Sequence, residues 1–131
     1  MTIGKDLDMV TLENQPVYLF ALYRWSGTSP EEFRDHYLSK HADIGKSIPG
    51  VAWWHTFLNN NPMVNWGLPE GAPKPDAFSI MAFESEEALK KAPESEGWAA
   101  ANGDNTGFVQ HIEVYEVSRV QLVPESGQQS A

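Results

Sequence analysis

Thr28 to Val51 reads TSPEEFRDHYLSKHADIGKSIPGV, and the way this stretch folds decides the rest of the chain. Ser29 is a good N-cap, Pro30 suits the first helical position, and Glu32 completes an S-x-x-E capping box. Glu31 and Glu32 also put negative charge at the positive end of the helix dipole. Inside the helix, Phe33, Tyr37, His41 and Ile44 recur at spacings of four, four and three. At about 100° per residue these four fall in one stripe, so His41 faces where Phe33 faces. Pro49 disfavours helix at Ile48 and Gly50 permits a turn, which ends the element. A tyrosine and a histidine on an otherwise apolar face are the features that need a reason.

Composition narrows the functions open to the chain. At 131 residues it is one domain with room for a core. A net charge of −9 argues against nucleic acid, since neutralising phosphates takes Lys and Arg clusters that are missing. The same charge disfavours anionic membrane surfaces. Without cysteine there is no disulfide, thiolate metal site or cysteine nucleophile. No apolar run approaches the roughly 20 residues of a membrane span, and the first residues lack a signal-type apolar stretch. The expected location is the cytoplasm.

Around the central helix the chain alternates strand and helix patterns. Residues 1–15 are polar and aperiodic and read as a flexible arm. Val17 to Trp25 is an apolar, aromatic run suited to a strand covered on both faces, with Tyr18, Phe20, Leu22 and Arg24 sharing one side. Val51 to Leu58 is a second strand, with Trp53 and His55 on one face and Trp54 on the other. Asn59 to Pro75 is a long loop rich in Asn, Pro and Gly. Its Met63, Val64, Trp66 and Leu68 are too apolar for a solvated linker, so it reads either as a lid or as packing against a second subunit.

Asp76 to Phe83 is the third strand. Ser85 caps a short helix through Lys91, and a second broken helix runs from Ser95 to Phe108, with Gly103-Asp104-Asn105 as its weak point. Val109 to Val123 reads as a long final strand, and 124–131 as a disordered tail. The order β-α-β, β-α-β is an α+β, ferredoxin-like pattern: a four-stranded antiparallel sheet, here residues 16–123, with helices on one face. The other face would carry Tyr23, Trp25, Trp53, His55 and Tyr115, more aromatic surface than a monomer shows to water. A homodimer that buries these faces together is the expectation.

The stretches FRDHYLSKHADIGKSIPGV and FESEEAL resemble the EthD-like branch of the dimeric α/β-barrel superfamily. Members carry a Phe, then a Tyr, then a His four residues on along the first helix, followed by Pro-Gly. Here these are Phe33, Tyr37, His41 and Pro49-Gly50, and the likeness covers about Val17 to Val117. The resemblance implies a homodimeric α/β barrel with an apolar cavity between each sheet and its helices. Relatives include methylmuconolactone methylisomerase, polyketide and olivetolic acid cyclases, and cofactor-free anthrone monooxygenases. His41 stands in the place of a pocket histidine of the methylisomerase, and Tyr37 in that of a pocket tyrosine of the cyclases. Trp54 occupies the position of an active-site tyrosine of the methylisomerase. The catalytic histidine that the cyclases carry near Trp98 has no counterpart, so their mechanism does not transfer unchanged.

The chemistry expected of these residues is proton transfer. Neutral imidazole is a base suited to ordinary pH, and burial keeps it free by disfavouring imidazolium. Tyr37 is placed to donate to a carbonyl or phenolate oxygen, and Arg24, on the helix side at a strand end, to clamp a carboxylate or enolate. Tyr18, Phe20, Phe33, Trp54, Met81 and Trp98 are the expected walls of the substrate pocket. The plainer alternative makes His41 a satisfied core histidine, Tyr37 a packing residue and Arg24 a surface charge. His55 and His111 are assigned to the dimer side and His36 to solvent. His36 and His41, five apart, stand about 140° apart on an α-helix and form no i,i+4 chelating pair, so no metal is expected.

No phosphate loop or nucleophile elbow occurs, and no cofactor is expected. Haem ligation by His41 is an option carried by the resemblance alone. The predicted function is thus a cofactor-independent isomerase, cyclase or lyase acting on a small aromatic or lactone-like substrate. The alternatives are a non-catalytic ligand-binding or accessory protein of an oxygenase pathway, and a cofactor-free monooxygenase on anthrone-like phenols.

Overall fold

The computed structural model describes residues 15–61 and 71–124. Four strands, β1 (Val17–Arg24), β2 (Val51–Leu58), β3 (Ala77–Phe83) and β4 (Val109–Val117), form one antiparallel sheet in the order β2-β3-β1-β4. Their register aligns one set of side chains toward the helices. Phe20 lies between Ser79 and Val114, Leu22 between Ala77 and Ile112, and Trp54 opposite Met81. Because side chains alternate along a strand, these residues form a common floor.

The first helical segment is continuous but not uniform. It comprises α1 (Pro30–His36), a π-helical turn (Tyr37–His41) and α2 (Ala42–Gly45). The start is as read from sequence: Ser29 accepts from the Glu32 amide at 3.1 Å and Glu32 accepts from the Ser29 amide at 3.0 Å. At the turn, the Ser39 hydroxyl donates to the Asp35 carbonyl at 2.5 Å, and the Ala42 amide reaches back five residues to Tyr37. A serine bonding its own i−4 carbonyl competes with the regular ladder and bends a helix. Gly50 turns the chain into β2 with φ +80°, in the region glycine tolerates best.

The second helical layer is α3 (Glu86–Lys91), a 3₁₀ turn at Ala92–Glu94, α4 (Glu96–Asp104), and a 3₁₀ turn at Asn105–Gly107. Ser85 and Ser95 cap α3 and α4 by accepting from the Ala88 and Trp98 amides. Two buried clusters hold sheet and helices together. Leu22, Phe33, Tyr37, Ala77, Phe108 and Val109 form one; Ile48, Met81, Phe83, Leu89 and Ala92 form the other. Phe20 and Trp54 pack against both, at the place where the clusters fall short of meeting.

Two expectations need correction. The last strand stops at Val117 rather than Val123, because Val17↔Val117 is its final pair and Pro16 offers β4 no amide donor. Val120, Leu122 and Val123 lie beyond the sheet, exposed. Trp25 does not belong to the open sheet face; it follows β1, and its indole donates to the Thr106 carbonyl at 3.0 Å. The opposite sheet face does carry the remaining aromatic set. Trp53 stacks on His55 at 4.6 Å, Tyr23 lies 5.2 Å from His111, and Phe57, Phe78 and Tyr115 are exposed. The ends of the 59–75 loop are joined, since the Asn59 amide donates to the Asp76 carbonyl and its side chain to the Pro75 carbonyl. Met63, Val64, Trp66 and Leu68, with most of the arm and tail, lie outside the described residues.

Gly45 packs directly under the Trp54 indole, where a Cβ would sit 2.7 Å from Cη2. Gly45→Ala therefore has to displace that ring and strain its hydrogen bond to Ser79. Overpacking of this kind costs about 1–3 kcal/mol. Urea unfolding monitored by tryptophan fluorescence should show that loss, with an emission shift reporting the moved indole.

A histidine held by a buried carboxylate at the edge of an apolar cavity

Between the two clusters lies a cavity of about 90 Å³. Its sheet side is Phe20, Leu22, Trp54, Ser79, Met81, Ile112 and Val114, and its helix side includes Tyr37, His41, Trp98 and Asn105. For scale, an enclosed apolar cavity of ~150 Å³ holds one benzene. The hollow is thus smaller than the space one benzene fills, and half-exposed Val114 is part of its lining.

His41 is 7% exposed and borders this space. Its Nδ1 lies 3.0 Å from Asp104 Oδ2, at the last position of α4. An ionised carboxylate only accepts, so Nδ1 carries the proton and Nε2 is the nitrogen with the free lone pair. Burial pushes the His41 pKa down; the Asp104 hydrogen bond and charge oppose this without reversing it, and His36 adds to the lowering. The resting group is neutral imidazole in one tautomer. For Asp104, burial alone would raise the pKa, but hydrogen bonds from His36 and His41 outweigh it and hold the carboxyl below its usual range.

Phe108 forms the platform under this arrangement. Its ring stacks on Phe33 at 5.7 Å, on Tyr37 at 5.6 Å and on His36 at 5.0 Å, and meets His41 at 4.5 Å. Tyr37 is buried, and its hydroxyl lies 2.7 Å from Thr56 Oγ1. The Thr56 proton is already given to the Phe78 carbonyl at 2.9 Å, so Tyr37 must donate to Thr56 and offers only acceptor capacity elsewhere. Burial raises the Tyr37 pKa and keeps it a neutral phenol.

Of the residues singled out from sequence, the fold brings Phe20, Tyr37, His41, Trp54, Met81 and Trp98 to one cavity. Tyr18 sits behind it, edge-on to Phe83 and 5.6 Å from Trp98, and Phe33 lies in the core beneath Tyr37. Arg24 is not a clamp. Its Nε donates to Asp76 at 3.0 Å and its Nη1 bonds the Thr28 carbonyl, because β1 bulges after Tyr23 and turns the strand end outward. His36 is not given over to solvent either: its Nε2 lies 2.9 Å from Asp104 Oδ2 and its ring is stacked on Phe108. The π turn removes the 140° separation, since a turn closed by i→i+5 bonds brings residues five apart back toward one side.

Asp104 itself escaped the sequence reading, which took Gly103-Asp104-Asn105 as a break. A signal was present: an acid in the last turn of a helix sits at the unfavourable end of the dipole and implies a compensating partner. Among the described residues no cluster of three or more His, Cys, Asp or Glu is arranged to hold a metal ion.

Residues 26–112 match the model of the EthD domain. Similar solved structures include an EthD family protein of Bacillus halodurans, 23% identical, covering 78% of this chain and 98% of that one with a TM-score of 0.59. A dimeric protein of Bacteroides fragilis with a ferredoxin-like fold is 9% identical, with 80% and 96% covered and a TM-score of 0.58. SnoaB, a cofactor-independent oxygenase of Streptomyces nogalater, is 14% identical, with 85% and 96% covered and a TM-score of 0.54. No curated protein matches the chain. The solved structures share its fold, and the domain match spans well over half of its length: this protein belongs to the EthD family.

Proposed function

We propose that the protein is a cofactor-independent acid/base enzyme, an isomerase, cyclase or lyase, with His41 as its proton-transfer group and a small aromatic or lactone-like molecule as substrate. One observation carries this. A buried imidazole has Nδ1 fixed by Asp104 while the ring borders an apolar cavity, leaving the Nε2 lone pair for a bound molecule. A merely structural histidine has no need of an empty hollow beside it. Phe20, Trp54, Met81 and Trp98 supply the walls, and among the described residues no Lys or Arg lines the space. That favours a neutral or phenolic substrate over a carboxylate. Tyr37 would then accept from a substrate hydroxyl, or release Thr56 in order to donate.

A homodimer belongs to the same proposal. Exposed Phe57, Phe78 and Tyr115 make an apolar sheet face suited to a second copy, and the dimeric Bacteroides fragilis neighbour supports it. SnoaB keeps a second reading in view, a cofactor-free oxygenase acting on a phenol. Oxygen uptake during turnover separates the two.

His41→Gln, whose amide can still donate to Asp104, should lower kcat by roughly 10²- to 10⁴-fold on any converted phenol, anthrone or unsaturated lactone, while shifting Tm little. A comparable loss in both would make the residue structural. The base works unprotonated, and its pKa is lowered, so the acid limb of kcat/KM should fall below the ordinary imidazole value of about 6.5. Asp104→Asn removes the counter-charge and should carry that limb lower still while slowing the reaction, as a pH-rate profile would show. For the assembly, Phe57→Asp on an exposed site should leave the fold intact and yield monomers in sedimentation velocity runs.

A further inference from the structure

Asp104 serves two histidines, and only one of them borders the cavity. His41 Nδ1 lies 3.0 Å from Oδ2, and His36 Nε2 lies 2.9 Å from the same oxygen and 3.1 Å from Oδ1. The two imidazoles come from opposite ends of the π turn, and Phe108 supports both rings. Gly107 leaves room for the arrangement: a Cβ there would stand 3.1 Å from His36 Cε1. The His36 side chain is 24% exposed and is absent from the cavity wall, whereas Asp104 is 5% exposed.

The other charged group at the carboxylate is Lys40, whose Nζ stands 3.5 Å from Oδ1 on a mostly exposed side chain, a weak partner in water. The titratable and charged groups gathered at this carboxylate are therefore His36, and Lys40 and His41 of the π turn.

A carboxylate has a finite capacity to stabilise positive charge, and every donor it accepts lowers its basicity. Two imidazoles on one oxygen compete for that capacity. We propose that His36 is a positioning residue for His41: through the shared Asp104 carboxylate it orients Oδ2 toward His41 Nδ1 and limits how basic His41 becomes. This role rests on the acid/base function assigned to His41, but it acts at equilibrium and can be read without any substrate. In the resting state His36 donates Nε2–H to Asp104. When His41 Nε2 accepts a proton, the imidazolium shares a carboxylate that already carries the His36 donor. The Nε2–H bond forms as a C–H or O–H bond of substrate or solvent breaks, and the proton stays on His41 until it is returned to substrate or solvent.

The test is the imidazole titration of the full chain by ¹⁵N-edited NMR, with two variants. His36→Phe keeps a ring against Phe108 but removes the donor; His36→Gln keeps a donor but not the ring. The His41 midpoint should move to higher pH in H36F and stay near the native one in H36Q. If turnover is found, the acid limb of kcat/KM should follow the same pattern. In the unaltered protein the His36 ring nitrogens should sense the His41 titration, a readout that survives if either variant fails to fold. Midpoints unmoved in folded H36F, or an uncoupled native pair, overturn the proposal. A shifted midpoint in a chain that turns nothing over would uphold the coupling and sink the catalytic role instead.

Discussion

The constraint on which the structure turns is the placement of one carboxylate away from water. An unpaired ion in that position would cost several kcal/mol, and removing one partner of such a set typically costs about 3–5 kcal/mol. Asp104 avoids this by accepting from two histidines, with Lys40 nearby at the rim. It also sits where the α4 dipole repels negative charge, which makes those donors more necessary. Since the donors come from the first helical segment and the acceptor from the second, the bond set fixes how the layers meet. The cavity edge is fixed with them, because His41 belongs to both.

The π turn is what makes the double contact possible. A regular helix through Tyr37–His41 would have kept Phe33, Tyr37 and His41 in line but sent His36 elsewhere. With the i→i+5 closure, His36, Tyr37 and His41 all reach the Phe108 ring, whose centroid lies within 6 Å of each. The local bonding is less favourable than in an α-helix, and π turns persist mostly where function or packing requires them. Aromatic contact with Phe108 and the bonds to Asp104 are the offsetting interactions here.

Legibility in the sequence followed the range of the interaction. The capping box at Ser29, the turn at Gly50 and the limits of β2 are local, and the chain spells them out. So is the stripe that carries Tyr37 and His41 inward. What the sequence hid was set by distant partners. Arg24 had the right parity for the pocket, but a bulge and Asp76, fifty-two residues on, took it away. His36 fell on the wrong side of an ideal helix and was restored by a non-ideal one. β4 looked longer than its partner allows, since alternation describes a strand's own residues and not the length of β1 beside it.

The cavity sets terms for the acid/base chemistry proposed here. Tyr37 has committed its proton to Thr56, the Trp54 indole is bonded to Ser79, and among the described residues no Lys or Arg lines the hollow. Apart from the Asn102 and Asn105 side chains, little among the described lining residues would stabilise a strongly localised oxyanion. A neutral imidazole in such surroundings removes only protons whose loss leaves well-spread charge, as from a phenol or a carbon next to conjugated carbonyls. An extended conjugated substrate provides that delocalisation itself, and the flat walls of Phe20, Trp54 and Trp98 suit its shape. The lack of Lys and Arg among the described lining residues, which weakens the pocket for carboxylates, fits a site whose selectivity comes from shape and from the acidity of the molecule it accepts.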